Sequence, residues 1–220
     1  MAEQIRGEFK VSCITASIDL AKDDASARVI ETVGSREVGL FINNAGGDTS
    51  NAFFLDAELE VWEKLARLDV MNVYRNCHHF GRPMRERGRG GIILVGSGAC
   101  YGGLTGKAIY CGVKSFDLCF GEALWGELRD KGVHVLNLVL GQTDTPEHRR
   151  ILKELDLPVP KGLASSDDVA ELGLARLPYG PVCNWGSSDD ELGMAPTSPA
   201  SRRARILAIE EASKAYTRKT

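Results

Sequence analysis

Residues 91–114, GIILVGSGACYGGLTGKAIYCGVK, decide the fold. Ile92 to Val95 is a continuous apolar β-rich run with no polar alternation, as expected of a strand covered on both faces of a parallel sheet. Gly96-Ser97-Gly98 and further glycines then break the chain into a loop. From about Lys107 the pattern changes to helical spacing. Val113, Phe116, Phe120, Leu124 and Leu128 fall on one inner face, and Lys131-Gly132 closes the helix after Arg129. A strand, a glycine-rich loop and a long helix in that order form half of a βαβ unit.

Working outward, Val133 to Leu140 (VHVLNLVL) reads as the strand that completes the unit. Upstream, Val38 to Asn43 (VGLFIN) is a second covered strand that stops abruptly at Asn43-Asn44-Ala45-Gly46-Gly47. A long helix follows, with Asp56 as its N-cap and Glu58 and Glu60 in its first turn. Leu55, Leu59, Trp62, Leu65, Cys77, Phe80 and Met84 recur along it, and Arg87 to Gly91 ends it. Lys10 to Ala16 (KVSCITA) reads as a further strand, followed by Asp19 in a polar turn and a helix over residues 24–32. Towards the C-terminus, Thr145-Pro146 opens a helix. Ser165-Ser166-Asp167 caps another that Pro178 terminates, Pro181 to Trp185 reads as a short strand, and Ser198-Pro199 starts a last helix through Ala204, Leu207 and Ala215. Strands alternating with helices longer than ten residues specify an α/β fold with a doubly wound parallel sheet, in one domain over residues 1–220.

Composition narrows the function. The chain has 220 residues, 43% hydrophobic, enough for one α/β core. A net charge of −3 and a pI near 5.9 leave no electrostatic footprint for nucleic acid or an anionic membrane. No apolar run approaches the roughly 18 residues that span a bilayer, and MAEQIRGEFK lacks the apolar region of a secretory signal. A soluble cytoplasmic protein is the expectation. The six cysteines show no C-x-x-C spacing and read as scattered buried thiols. The four histidines lack metal-ligand spacing, and the adjacent His78 and His79 point to different helix faces, so no metal site is expected.

Tyr110 and Lys114 stand one helical turn apart and share a face. Ser97 lies upstream at a strand end, where open α/β sheets place their ligand crevice. A phenol with an ordinary pKa near 10 is a poor acid–base catalyst at neutral pH. An ammonium one turn away favours the phenolate, and a serine hydroxyl can hold a substrate oxygen beside it. The set suits proton transfer coupled to hydride transfer at a C–O centre. A serine-hydrolase elbow fails because G-x-S-x-G requires glycines where Val95 and Ala99 stand. Gly96-x-Gly98-x-x-Tyr101 likewise lacks the last glycine of a dinucleotide loop.

Four motifs in order, Asn43-Asn44-Ala45-Gly46, Ser97, Tyr110-Cys111-Gly112-Val113-Lys114 and Leu140-Gly141-Gln142-Thr143-Asp144-Thr145-Pro146, resemble those of the short-chain dehydrogenase/reductase family over roughly residues 10–177. The resemblance implies an NAD- or NADP-dependent oxidoreductase acting on a small-molecule carbonyl/alcohol pair. Tyr110 would be its general acid/base, Lys114 would lower the Tyr110 pKa and bind the nicotinamide ribose, and Ser97 would polarise the substrate oxygen. Asn44, Ala45 and Gly46 would pass close to the cofactor, Asp19 would contact adenine, and Gly141, Thr143 and Thr145 would flank the nicotinamide carboxamide. It also implies a homodimer or homotetramer packed through helices 56–84 and 107–129, and places substrate under residues 146–164.

The sequence departs from the family in three places. Leu140 replaces the usual Pro. Counting without gaps puts Asp69 where the family carries an Asn that anchors a water of the proton relay, with Asn72 one turn on. A carboxylate there would oppose phenolate formation at Tyr110. The opening strand, T-G-x-x-x-G-x-G loop and helix have no counterpart, a unit of about 30 residues or more. Residues 1–10 instead resemble the tail of the helix before the third strand. Residues 10–16 are then expected either to pair directly with residues 38–43 or to leave an exposed edge. Without that unit a non-catalytic, self-associating scaffold is the rival to the enzyme.

Overall fold

A computed structural model describes residues 1–48, 50, 52–154, 156–186, 203, 204 and 207. Helices α1 (Ala2–Phe9) and α2 (Ala25–Val33) precede strand β1 (Leu40–Asn43). Helices α3 (Leu59–Ala66) and α4 (Asn72–Glu86) lead to β2 (Gly90–Ser97), and α5 (Ala108–Leu128) leads to β3 (Val133–Leu140). There follow β4 (Thr143–Asp144), α6 (Pro146–Glu154), β5 (Ala164–Ser165), α7 (Ser166–Arg176) and β6 (Val182–Asn184). The main sheet runs β1-β2-β3-β6 with every pair parallel, and β4 pairs with β5 in a small second sheet.

Alternate residues of β2 divide the core between the two sheet faces. Ile92 and Leu94 join Val73, Cys77, Phe80 and Met84 of α4, with α2 and α5 packed on the same cluster. Ile93 joins Leu136, Leu138 and Val169 of α7 on the other face. A parallel sheet with helices on both faces is the doubly wound architecture expected from the apolar runs. Gly132, at φ 74, supplies the left-handed residue between the end of α5 and β3. Ser165 caps α7, its Oγ accepting from the backbone N–H groups of Asp167 and Asp168.

Four expectations are corrected. Residues 10–16 form no strand. Lys10 adopts a left-handed conformation, and Val11 and Ile14 are exposed. Their β-propensity is local, whereas a strand needs a ladder, and this run neither pairs with β1 nor forms an edge. Second, β1 is not covered on both faces. Phe41 packs against Phe80, but Leu40 and Ile42 point the other way and remain exposed. Third, Asp56 is not the N-cap of the long helix, which starts at Leu59 after a turn. It then breaks into α3 and α4 around the π-helical segment Arg67–Met71. Fourth, the thiols are not uniformly buried: Cys119 is exposed and Cys13 half-buried. The expected helix from Ser198-Pro199 through Ala215 lies almost wholly outside the described residues, with helical backbone at 203, 204 and 207.

Candidate active site

Parallel pairing brings three loops to one edge of the sheet. Asn43 pairs with Leu94 and Ser97 with Leu140, so the turns after β1, β2 and β3 all leave from the carboxyl ends of the strands. Ser97 is half-buried, and its Oγ accepts from the Ala99 N–H at 3.3 Å. The turn it begins is tied to α5, because Ser115 Oγ donates to the Cys100 carbonyl at 2.9 Å. Tyr101 reaches across to Asn184 Oδ1 at 2.7 Å. Tyr110 lies in the first turn of α5 and is half-buried, while Lys114 one turn on is 4% exposed.

The buried end of Lys114 holds the main electrostatic feature of the molecule. Its Nζ donates to Asp69 Oδ1 at 2.9 Å and to Asp117 Oδ2 at 3.1 Å. Asp69 sits in the π segment, where the widened turn aims its side chain at α5, and it is 0% exposed. Asp117 lies three residues beyond Lys114 on the same helix and is also buried. Burial works against the Lys114 charge, yet the two carboxylates outweigh it and hold the ammonium's pKa above its ordinary value. Burial, assisted by the charge of Asp69, pushes Asp117 up to about 6 against the pull of Lys114. Each carboxylate keeps one buried oxygen, Asp69 Oδ2 and Asp117 Oδ1, without a hydrogen-bond partner. Gly46 closes over the cluster. A Cβ there would lie 2.1 Å from Asp69 Oδ1 and 3.1 Å from Lys114 Nζ.

This arrangement has a family. The model for short chain dehydrogenases matches residues 1–156. The chain belongs to the short-chain dehydrogenase family. It is 27% identical over 169 residues to a very-long-chain 3-oxoacyl-CoA reductase of Homo sapiens, covering 76% of this chain and 54% of that protein. It is 33% identical over 140 residues to the reductase of the same name from Laccaria bicolor, covering 62% and 41%. The chain thus spans about half the length of the curated relatives it matches. A short-chain dehydrogenase from Sphingobium yanoikuyae solved in complex with NADPH superposes with a TM-score of 0.74 at 22% identity, covering 100% of this chain and 81% of that one, a likeness of fold alone.

The structure places Asp69 and Asn72 in different surroundings. Asn72 faces away from Lys114. Its Oδ1 accepts from Ser26 Oγ at 2.9 Å, and its Nδ2 donates to the carbonyls of Leu20 and Arg67, which fastens α4 to the segment around α2. Asp69 is the residue beside Lys114. Asn44, Ala45 and Gly46 are exposed along the edge, and Lys107 anchors their loop to the start of α5 through Asp48 at 3.1 Å. Thr143 is half-buried on β4 with its Oγ1 unpartnered, and Thr145 Oγ1 accepts from the His148 N–H at 3.1 Å. Gly141 is exposed between β3 and β4. Asp19 is exposed before α2, its carboxylate accepting from the Ala21 N–H at 3.0 Å, and it is not joined to the Lys114 cluster.

Asp117 stands one turn from Lys114 in the sequence, but the apolar residues around it give that stretch of the helix the pattern of core packing, which hides its role. Among the described residues no group of three or more His, Cys, Asp or Glu side chains is placed to hold a metal, and no helix is long and apolar enough to cross a membrane.

Proposed function

We propose that the chain carries the catalytic portion of an NAD(P)-dependent oxidoreductase that interconverts a small-molecule carbonyl and alcohol. The observation that supports this most is the placement of Lys114, buried at the carboxyl edge of the sheet one turn below Tyr110, on the helix that follows the Ser97 strand. The residues present suit the nicotinamide half of a dinucleotide. Gly46 lets the loop after β1 lie directly on Asp69 and Lys114, where a Cβ would strike the Asp69 carboxylate, and Thr143 offers a buried hydroxyl with no protein partner, in the segment where the family flanks the carboxamide. Asn44, Ala45, Gly141 and Thr145 would line the same edge, and Asp19 would serve the adenine end. No T-G-x-x-x-G-x-G motif occurs in the 220 residues, so the residues named here are not assigned to the pyrophosphate.

The nicotinamide would supply or accept the hydride at the substrate carbon. In reduction, Tyr110 would give its phenolic proton to the oxygen of that carbon while the Ser97 hydroxyl holds the same oxygen by hydrogen bonding. In oxidation, Tyr110 would take the alcohol proton. Lys114 would meet the ribose hydroxyls, and the help its charge gives the Tyr110 phenolate is opposed by Asp69 and Asp117.

Titration of the purified chain with NADH and NADPH, followed by carbonyl reduction at 340 nm, tests the reading. Micromolar binding and turnover are expected, with Tyr110→Phe lowering kcat by at least about 100-fold. No binding at millimolar cofactor, or Tyr110→Phe turning over at the parent rate, would refute it in favour of a scaffold.

A further inference from the structure

We propose that Asp117 is a positioning residue for Lys114: it and Asp69 grip one buried ammonium between them, and Asp117 takes up a proton that sets the charge around Lys114. The consequence for chemistry rests on the oxidoreductase reading, whereas the protonation of Asp117 does not. Two carboxylates from different elements, the π segment and the third turn of α5, converge on a single nitrogen. Both are buried, at 0% and 1% exposure, and each leaves its second oxygen without a partner. Two anions against one cation in a dry site leave one negative charge without compensation, which burial makes costly. One proton on the pair removes the surplus charge and turns a bare acceptor into a donor.

Burial and the neighbouring anion act together on Asp117 and, against the pull of Lys114, raise it to about 6. Charged and titratable groups reach it from three elements. Lys114 is on its own helix, Asp69 comes from the π segment, and Cys77 faces it from α4, its thiol pushed up to about 12 by burial and then by the Asp117 charge. When both carboxylates are ionised, the cluster is net negative despite Lys114. When the pair holds its proton, the cluster is neutral. The potential that the cluster presents to Tyr110 is therefore set by the two carboxylates and not by the lysine alone.

The test follows aspartate carboxyl carbons by ¹³C NMR against pH on the intact chain. The Asp117 carboxyl resonance should move with a midpoint of about pH 6. Asp117→Asn should abolish that transition. Asp69→Asn removes the like charge, so the Asp117 midpoint should fall by on the order of one unit, a tenfold loss of proton affinity. Titration of Asp117 in the ordinary carboxylate range overturns the proposal, as does an Asp69→Asn chain whose Asp117 midpoint is unmoved. If that variant does not fold, the Asp117 resonance of the parent chain, identified by its loss in Asp117→Asn, decides. Where the chain turns over a carbonyl, kcat against pH should show the same midpoint and lose it in Asp117→Asn. A failed cofactor titration beside an intact NMR transition sinks the catalytic reading and leaves the pair, and the converse sinks the pair alone.

Discussion

Gly46→Ala probes the packing of the cluster directly. The added Cβ would lie 2.1 Å from Asp69 Oδ1 and 3.2 Å from Asp69 Cγ. The carboxylate must withdraw by about an ångström to reach ordinary van der Waals contact. Asp69 has no open space to enter, because it is fully buried in the π segment and held by Lys114 at 2.9 Å. Lengthening that charge-assisted bond costs about 1.5–3 kcal/mol, in line with the 1–3 kcal/mol typical of overpacking. Alanine restricts the unfolded chain and returns about 0.4–1 kcal/mol, so a net destabilisation of about 2 kcal/mol is expected. For a chain of this size that lowers Tm by about 4–8 °C. Urea unfolding followed by tryptophan fluorescence measures it, with Trp62 buried on α3 as a reporter. The same substitution in an Asp69→Ala background should cost under about 0.5 kcal/mol, because the atom it strikes is gone and Lys114 keeps Asp117. Equal costs in the two backgrounds would refute the reasoning.

The titration of Asp117 also shapes stability. Its folded pKa of about 6 lies above the ordinary carboxylate value of about 4, so its contribution is fully present below pH 4 and is lost as pH rises through 6. About 3 kcal/mol should separate the two ends of that window. The difference in unfolding free energy between the parent and Asp117→Asn should therefore change between pH 4 and 7, and a flat difference would contradict the assignment. Cys77, with its thiol pushed up to about 12, should resist a disulfide reagent at pH 8 while the exposed Cys119 reacts, as peptide mass mapping will show. Equal labelling of the two would count against the burial described.

The sequence by itself determined the layered α/β fold, because apolar runs of strand length and helices with one greasy face are local patterns, read without knowing what packs on what. It also determined that Tyr110 and Lys114 share a face, since one turn of helix dictates that, and that Asp69 merited attention, through its count from Ser97. The tertiary structure decided what pairing decides. Residues 10–16 carry β-propensity, yet they form no strand, since a ladder needs a neighbour at the right distance. Leu40 and Ile42 look like core residues in the sequence but face outward, because no helix among the described residues covers that side of β1. Asp69 and Lys114 are 45 positions apart, and only the π segment and the close approach of Gly46 bring the carboxylate to the ammonium. Asp117 looks like a polar residue on a helix until the fold buries it beside Lys114 and Asp69. The charge of this site is a property of that burial, since the same three side chains in water would neither pair tightly nor contend for a proton.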